Sequence, residues 1–363
     1  MKSNRTDIRG LIGCLSTLSQ AYERGWQPAD VLHVTRRSLP ATLLTPAAVL
    51  ILHESRRSDA WSRAPRPWLD QLRTIAETHP GADAATEIDE SQAQVVARFW
   101  WGLHAWTALC PPPSAWPPHR DTAEHRPDSE ATAADTKVLN KIRGLLAKAE
   151  STQFVEEAET LTAKAQELMT RYAIDAAVLE AAAPGATVTV DSRRVHLDSP
   201  YVKQKALLLS AIGEANHVAA VITERTATVT MVGAPVDVRQ SEMLFTSLLV
   251  QATRAMQVEG DKGSRSTEFR KAFLFGFAVR IGQRLTEAGK AGTAQAVADS
   301  QIEFADLLPI LAAREVAVRA EVTRIFGRTK TMRGSATDAS GLRAGRSAAD
   351  AATLGTGSGA IAG

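Results

Sequence analysis

Residues 136–175 read TKVLNKIRGLLAKAESTQFVEEAETLTAKAQELMTRYAID, and the spacing of apolar residues along them sets the fold class. Val138, Ile142, Leu145, Leu146 and Ala149 recur at three- and four-residue steps, which places them on one helical face. Thr136 is suited to cap that helix, its side-chain oxygen accepting from a free backbone N–H. Lys141, Arg143 and Lys148 fill the remaining surface, and the polar run from Glu150 to Gln153 breaks the pattern. Glu156 and Glu157 then stand in the first turn of a second helix, where negative charge meets the positive helix end. Ala158, Leu161, Ala165, Leu168 and Tyr172 make a 3, 4, 3, 4 seam, with the two small alanines allowing close approach to the first helix. Asp175 is placed to cap a third short helix that Pro184 and Gly185 end.

The reading is a helical hairpin over 136–183. Two helices of this length are marginal alone, since helix nucleation is costly and packing supplies most helical stability. The hairpin is therefore expected to dock on a larger body as a packing module. A functional role would use its exposed polar groups, chiefly Lys164 and Gln166.

The K-I-R-x-L-L-A-K-A-E run at 141–150, the E-A pair at 157–158, A-K-A-Q-E-L-M at 163–169 and Y-A-I-D at 172–175 carry a resemblance. This segment resembles the bacterial and phage family known as domain of unknown function 2786. Weaker likeness reaches upstream to Gly25-Trp26-Gln27-Pro28-Ala29-Asp30. Downstream it touches the Phe-rich stretch near Phe273 and the ending Gly341-Leu342-Arg343-Ala344-Gly345-Arg346. The resemblance implies no activity and supplies no catalytic residue.

A chain of 363 residues has room for two or three domains with cores of their own. Its hydrophobic content of 44% and charged content of 23% are those of a soluble globular protein. No apolar run approaches the ~18 residues a membrane span needs. The start, MKSNRTDIRGLIGCLSTL, is broken by Asp7, Arg9 and Gly10 and lacks a cleavage-type segment, so a cytoplasmic protein without membrane attachment is expected. Cys14 and Cys110 have no metal-ligand spacing and read as small buried hydrophobes. A formal charge of +2 points to no partner. Arginine outnumbers lysine 31 to 11, which fits genomic base composition first and a phosphate-binding bias second.

All seven Trp and six of eight His precede residue 126, which separates an N-terminal region from the rest. Apolar clusters at 11–18, 31–34, 49–52, 69–75 and 95–109, with prolines at 40, 46, 65, 67 and 80 between them, predict an all-α Trp-rich domain over 1–110. Residues 111–135, opening PPPSAWPP, read as an extended, mobile linker. Past the hairpin, 187–190 and 195–197 alternate like strands. Residues 218–222 and 229–232 flank a polar turn and predict a β-hairpin, preceded by a helix over 201–215. Pro235 is positioned to open the next helix. The stretch 187–326 is thus a small α+β domain with helices covering one sheet face. Residues 327–363 read as a basic, Gly-rich flexible tail whose end, LGTGSGAIAG, is expected to be disordered. The fold class is α+β and mostly helical.

Several chemistries are excluded by spacing. His53-Glu54 opens like a zinc-protease helix, but Arg57 stands where the second His would be. His33, His104, His119 and His125 show no ligand spacing. The run Gly355 to Gly359 lacks the flanking strand and helix of a phosphate loop and is no nucleophile elbow, since its Ser358 is off-centre. No metal or cofactor is expected, and no acid–base pair can be assigned.

Two arginine groups remain. On a helix predicted over 267–285, Phe269, Phe273, Phe277, Ile281 and Leu285 repeat every four residues, and Arg270, Arg280 and Arg284 fall within about 80° of one another beside them. Such cations snorkel, pair with an acid such as Glu268 or Glu242, or hold an anion. The second group runs from Arg314 to Arg346, with eight basic residues against three acidic ones, a net of +5. Within it Arg328, Lys330, Arg333, Arg343 and Arg346 are the candidate phosphate contacts. Aromatic residues are absent after 327, so base stacking is not expected there. The expected function is non-enzymatic, a nucleic-acid-associated or adaptor protein contacting DNA or RNA through the tail. Two alternatives stand beside it. One is a hydrolase acting on a phosphorylated substrate held by Arg270, Arg280 and Arg284 in a pocket with a carboxylate or His217; the other is a protein–protein module using the Trp-rich domain.

Overall fold

The computed structural model describes residues 5–118, 133–151, 155–182, 187–262, 266–299, 304–330, 334 and 338–352. The chain divides into two compact units, Met1–Ser129 and Glu130–Gly363.

The first unit is helical. Helices α1 (Ile12–Glu23), α2 (Pro28–Ser38), α3 (Leu44–Arg57), α4 (Ala60–Arg63), α5 (Arg66–Thr78) and α6 (Glu90–Trp101) surround one core. A short antiparallel ribbon joins β1 (Arg5–Asp7) to β2 (Glu87–Asp89), an element the apolar clusters did not announce. The core is aromatic, and several of its indole N–H groups are paired. Trp26 donates to the His104 carbonyl at 2.7 Å, and Trp100 donates to the Thr35 hydroxyl at 2.9 Å. A buried donor left unpaired would cost roughly 1–3 kcal/mol of what the ring's burial contributes. Gly25, at φ +93°, has its α-carbon against the Trp106 carbonyl, where a Cβ would come within 2.0 Å. Asp30 closes a capping box with Gln27 at the start of α2. The Gly25–Asp30 segment is thus a local folding device.

The expected helix over 95–109 ends at Trp101. The first part of the segment read as a mobile linker is folded. Residues Pro113–Ala115 form a 3-10 turn, Trp116 is buried with its ring 5.0 Å from Trp68, and Ser114 donates to Glu23. The proline run is a rigid lead-in for an aromatic anchor, a role that composition does not reveal. The remainder, 119–132, lies outside the described residues.

The second unit is α+β. Helices α7 (Ala133–Ser151) and α8 (Val155–Ala182) form the hairpin, joined through 152–154, which lie outside the described residues. Ile142, Leu146, Ala165 and Met169 are buried in the main core of this unit. Two local expectations are corrected. Thr136 lies inside α7, which begins three residues earlier, and α8 continues through Asp175 to Ala182 as one helix. It continues because Ile174 and Val178 carry its apolar side onto a further partner, α12 (Phe304–Phe326). The proposed terminator at 184–185 is outside the described residues.

Next come β3 (Asp191–His196), α9 (Val202–Ala215), β4 (Ala219–Thr223), β5 (Thr228–Gly233), α10 (Pro235–Lys262), α11 (Thr267–Asp299), α12 and α13 (Ala339–Ala351). The sheet is antiparallel with order β3-β5-β4, and Arg193, Val195, Val221 and Ile222 pair with Met231, Val229, Thr230 and Val229. The β4–β5 hairpin and the helix opened by Pro235 follow the expected pattern. The preceding strand does not. Two short segments at 187–190 and 195–197 were expected, whereas one strand covers 191–196. Its polar residues mask the alternation because each sheet face has its own helical cover. One face carries Val195, Val229 and Met231 into the core, with Arg193 paired to Glu242 of α10 at 2.9 Å. The other carries Ser192, Arg194, Thr228 and Thr230 beneath α12.

Helix α13 lies inside the stretch expected to be a flexible tail. It packs beside α11 at backbone distance: Cβ atoms at Gly341 and Gly345 would stand 2.4 and 2.0 Å from the Phe269 and Phe273 carbonyl oxygens. Composition suggested flexibility because the same small residues that weaken an isolated helix permit this close contact. The sequence end, 353–363, lies outside the described residues. Gly345→Ala is expected to lower the unfolding free energy by about 2–3 kcal/mol through overpacking, read by chemical denaturation against the parent chain.

Candidate functional site

Helix α13 is pinned at both ends. Asp338 is its N-cap, accepting from the Gly341 N–H at 2.6 Å. At its other end Arg284 donates to the carbonyls of Ala349, Asp350 and Ala352, the last at the C-cap, and Arg280 pairs with Asp350. A cation at the final carbonyls complements the helix dipole. Gly341, Gly345 and Ala349 face inward, so the helix turns Arg343 and Arg346 to solvent about 60° apart. Arg328 and Lys330 are exposed just past the end of α12. Arg333 lies outside the described residues.

This arrangement changes the reading of the other arginine group. Arg280 and Arg284 serve α13, so two of the three proposed anion holders are engaged within the chain. Arg270 is half-buried near the start of α11. Glu242, a suggested partner for these arginines, pairs instead with Arg193. His217 does not join them. It stands in the α9–β4 turn at φ +58°, and the charged groups acting on it are Glu315 and Arg314 of α12. The hairpin's polar pair also divides: Lys164 is exposed and binds Glu167 at 2.7 Å, whereas Gln166 is buried and donates to the Asn216 side chain at 3.2 Å. Gln166 is a core strut. A shallow hollow of about 250 Å³ between α7 and α10 is lined by Arg143, Leu146, Met243 and Ser247, among others, and brings no acid–base pair together.

The structure contains a charge cluster that spacing alone did not reveal. Arg314 of α12, 9% exposed, donates to Glu180 of α8 at 2.9 Å and lies 3.9 Å from Asp237 in the first turn of α10. A third contact runs to the Ala173 carbonyl at 3.4 Å. Three elements far apart in sequence therefore meet at one guanidinium. The two carboxyls are tuned in opposite directions. Burial raises Glu180, but the Thr189 N–H and Arg314 outweigh it and hold its pKa below the ordinary value. Asp237, 4% exposed, is pushed up to about 7 by burial, with Arg314 acting against the shift and Glu180 adding to it. The signal for this cluster in the sequence is slight: an arginine on the inward seam of α12 with Leu307, Leu311 and Val318.

Enclosed as it is, the cluster fits a clamp for α12 better than a reaction centre. Among the described residues no group of three His, Cys, Asp or Glu is placed to hold a metal ion. None of the described helices is long and apolar enough to cross a membrane.

Residues 137–176 match a family model described as a protein of unknown function (DUF2786). That match covers α7 from its second turn and most of α8. No curated protein and no solved structure matches the chain.

The raised pKa of Asp237 has a defined sign. The folded state holds this proton more tightly than the unfolded chain, so the associated stability is greatest below the unfolded value of 3.8. It declines as pH rises and is gone above about 7. Asp237→Asn removes that dependence. The stability difference, wild type minus variant, should fall between pH 5 and pH 7 with a slope of at most about 1.4 kcal/mol per pH unit, measured by urea denaturation across the range.

Proposed function

We propose that this chain is a nucleic-acid-associated protein that contacts phosphates through α13 and the segment leading to it. The observation that carries the reading is a helix pinned at both ends with Arg343 and Arg346 on its solvent face. A guanidinium presented on a fixed backbone loses less freedom on contacting a phosphate than one on a mobile tail. Arg328 and Lys330 are exposed past the end of α12, and Arg333 belongs to the same candidate set. Since the segment carries no aromatic ring after residue 327, contact is with the backbone of a duplex or strand, without base stacking.

The function is one of binding, without catalysis, and the protein works in the cytoplasm with both cysteines as free thiols. The rival reading, a hydrolase gripping a phosphorylated substrate through Arg270, Arg280 and Arg284, has less support because α13 engages two of those side chains.

The test is fluorescence anisotropy with a DNA duplex, its single strand and an RNA duplex over about 50–200 mM salt. Reversing both charges with Arg343→Glu and Arg346→Glu should weaken binding at least about tenfold and reduce the salt slope by about 2. Unchanged affinity, or no binding by the parent chain at low salt, overturns the proposal.

A further inference from the structure

A second cationic surface lies on α7. Residues 137–148 read KVLNKIRGLLAK, which holds four cations and no acid. Ile142 and Leu146 are buried in the core of the second unit, so the apolar face of this helix is committed and its orientation is fixed. A rotation of about 100° per residue sorts the exposed side into three rows. Lys137, Lys141 and Lys148 fall within about 40° of one another along one edge and span about 16 Å of helix. Arg143 stands on the other edge. Between the two edges runs a neutral row of Asn140, Gly144 and Ala147, also exposed.

That middle row is low. A Cβ at Gly144 would meet open space, in contrast to Gly341 and Gly345, whose places packing dictates. A glycine in a helix interior is destabilising, and a use for one that packing does not require is to let another backbone approach closely. Asn140 accepts from Arg143 at 3.4 Å, which ties the guanidinium to the rim of the row. Beyond Arg143 the surface falls into the hollow of about 250 Å³ shared with Met243, Thr246 and Ser247 of α10, none of them charged. The acids close by in sequence to these neighbours are engaged elsewhere: Glu242 pairs with Arg193, and Glu167 of α8 pairs with Lys164.

The shape and charge of this trough select its partner. Seating on a membrane needs a free apolar face, and that of α7 is buried. A protein interface is centred on aromatic or large apolar anchors, and none of the large apolar side chains exposed among the described residues lies on α7. A narrow, uniformly charged polyanion needs neither. We infer that the exposed side of α7 is a second phosphate-contact surface for nucleic acid, with the backbone of one strand lying along Asn140, Gly144 and Ala147 between the lysine edge and Arg143. The inference rests on the nucleic-acid reading above and adds a surface to it.

Fluorescence anisotropy on the full chain tests it, with the same duplex, single strand and RNA over the same salt range. Two variants are compared with the parent: Lys137→Ala, Lys141→Ala and Arg143→Ala combined, and Gly144→Gln alone. All four positions are exposed, and circular dichroism verifies that each variant is folded. The triple variant should weaken binding at least about tenfold and reduce the salt slope by about 2–3. Gly144→Gln leaves the charge unchanged and fills the middle row, so it should weaken binding at least about threefold, which a merely solvated basic face would not show. Parent-like affinity in either variant overturns this inference; the earlier reading stands if Arg343→Glu with Arg346→Glu still loses binding. A parent chain that binds none of the three nucleic acids overturns both. Displacement of the duplex by poly-glutamate as effectively, charge for charge, as by unlabelled duplex also overturns the inference and assigns the trough to an acidic protein.

Discussion

The backbone contact between α11 and α13 is the constraint on which the C-terminal architecture depends. Gly341 and Gly345 bring one helix against the carbonyl oxygens of Phe269 and Phe273, so the crossing tolerates no side chain at either position. Once α13 is seated, its end falls beside Arg280 and Arg284, and two cations that would otherwise sit uneasily beside a phenylalanine stripe acquire an acid and a set of unpaired carbonyls. The remaining arginines of α13 have only one direction to point. Packing decides which cations are structural and which are offered to solvent.

The clamp on α12 follows another logic. Arg314 is held between Glu180 and Asp237 where water is largely excluded, and two carboxylates against one guanidinium would leave an uncompensated negative charge in the interior. The protein resolves this by difference in environment. Glu180 receives the Thr189 N–H as well as Arg314, which hold its pKa down, whereas Asp237, at 3.9 Å from the guanidinium, is pushed up to about 7 by burial. The cluster ties the ends of α8 and α10 to the middle of α12, which covers the polar sheet face. Removal of Arg314 would therefore disturb three elements together.

Much of this architecture was legible because local patterns and tertiary packing agree. The hairpin seam, the β4–β5 turn and the helix opened by Pro235 all appear in the sequence with the periodicity of their burial. The failures have a common cause in partners that only the folded chain supplies. Asp175 resembles a cap until α12 is present to accept the extended apolar face of α8. Strand β3 hides its alternation because Arg193 and Arg194 each meet a cover on opposite sheet faces. Residues 111–118 have linker composition, yet Trp116 finds a slot against Trp68. Of the candidate site residues, Arg343 and Arg346 could be named from charge alone. That Arg280 and Arg284 are engaged could not, since α13 was invisible within a Gly-rich tail.

The hairpin that carries the family likeness is not a separable unit. Ile142 and Leu146 of α7 and Ala165 and Met169 of α8 are buried in the same core as Leu209 of α9, Leu248 of α10 and Phe273 of α11. Ile174, farther along α8, joins Leu307 of α12. Excised, the two helices would expose both apolar faces to water and lose most of what stabilises them. Even Gln166, one of the two polar residues with Lys164 that the sequence offers for an outward role, donates to Asn216 in the interior. The segment is therefore part of the core of the second unit.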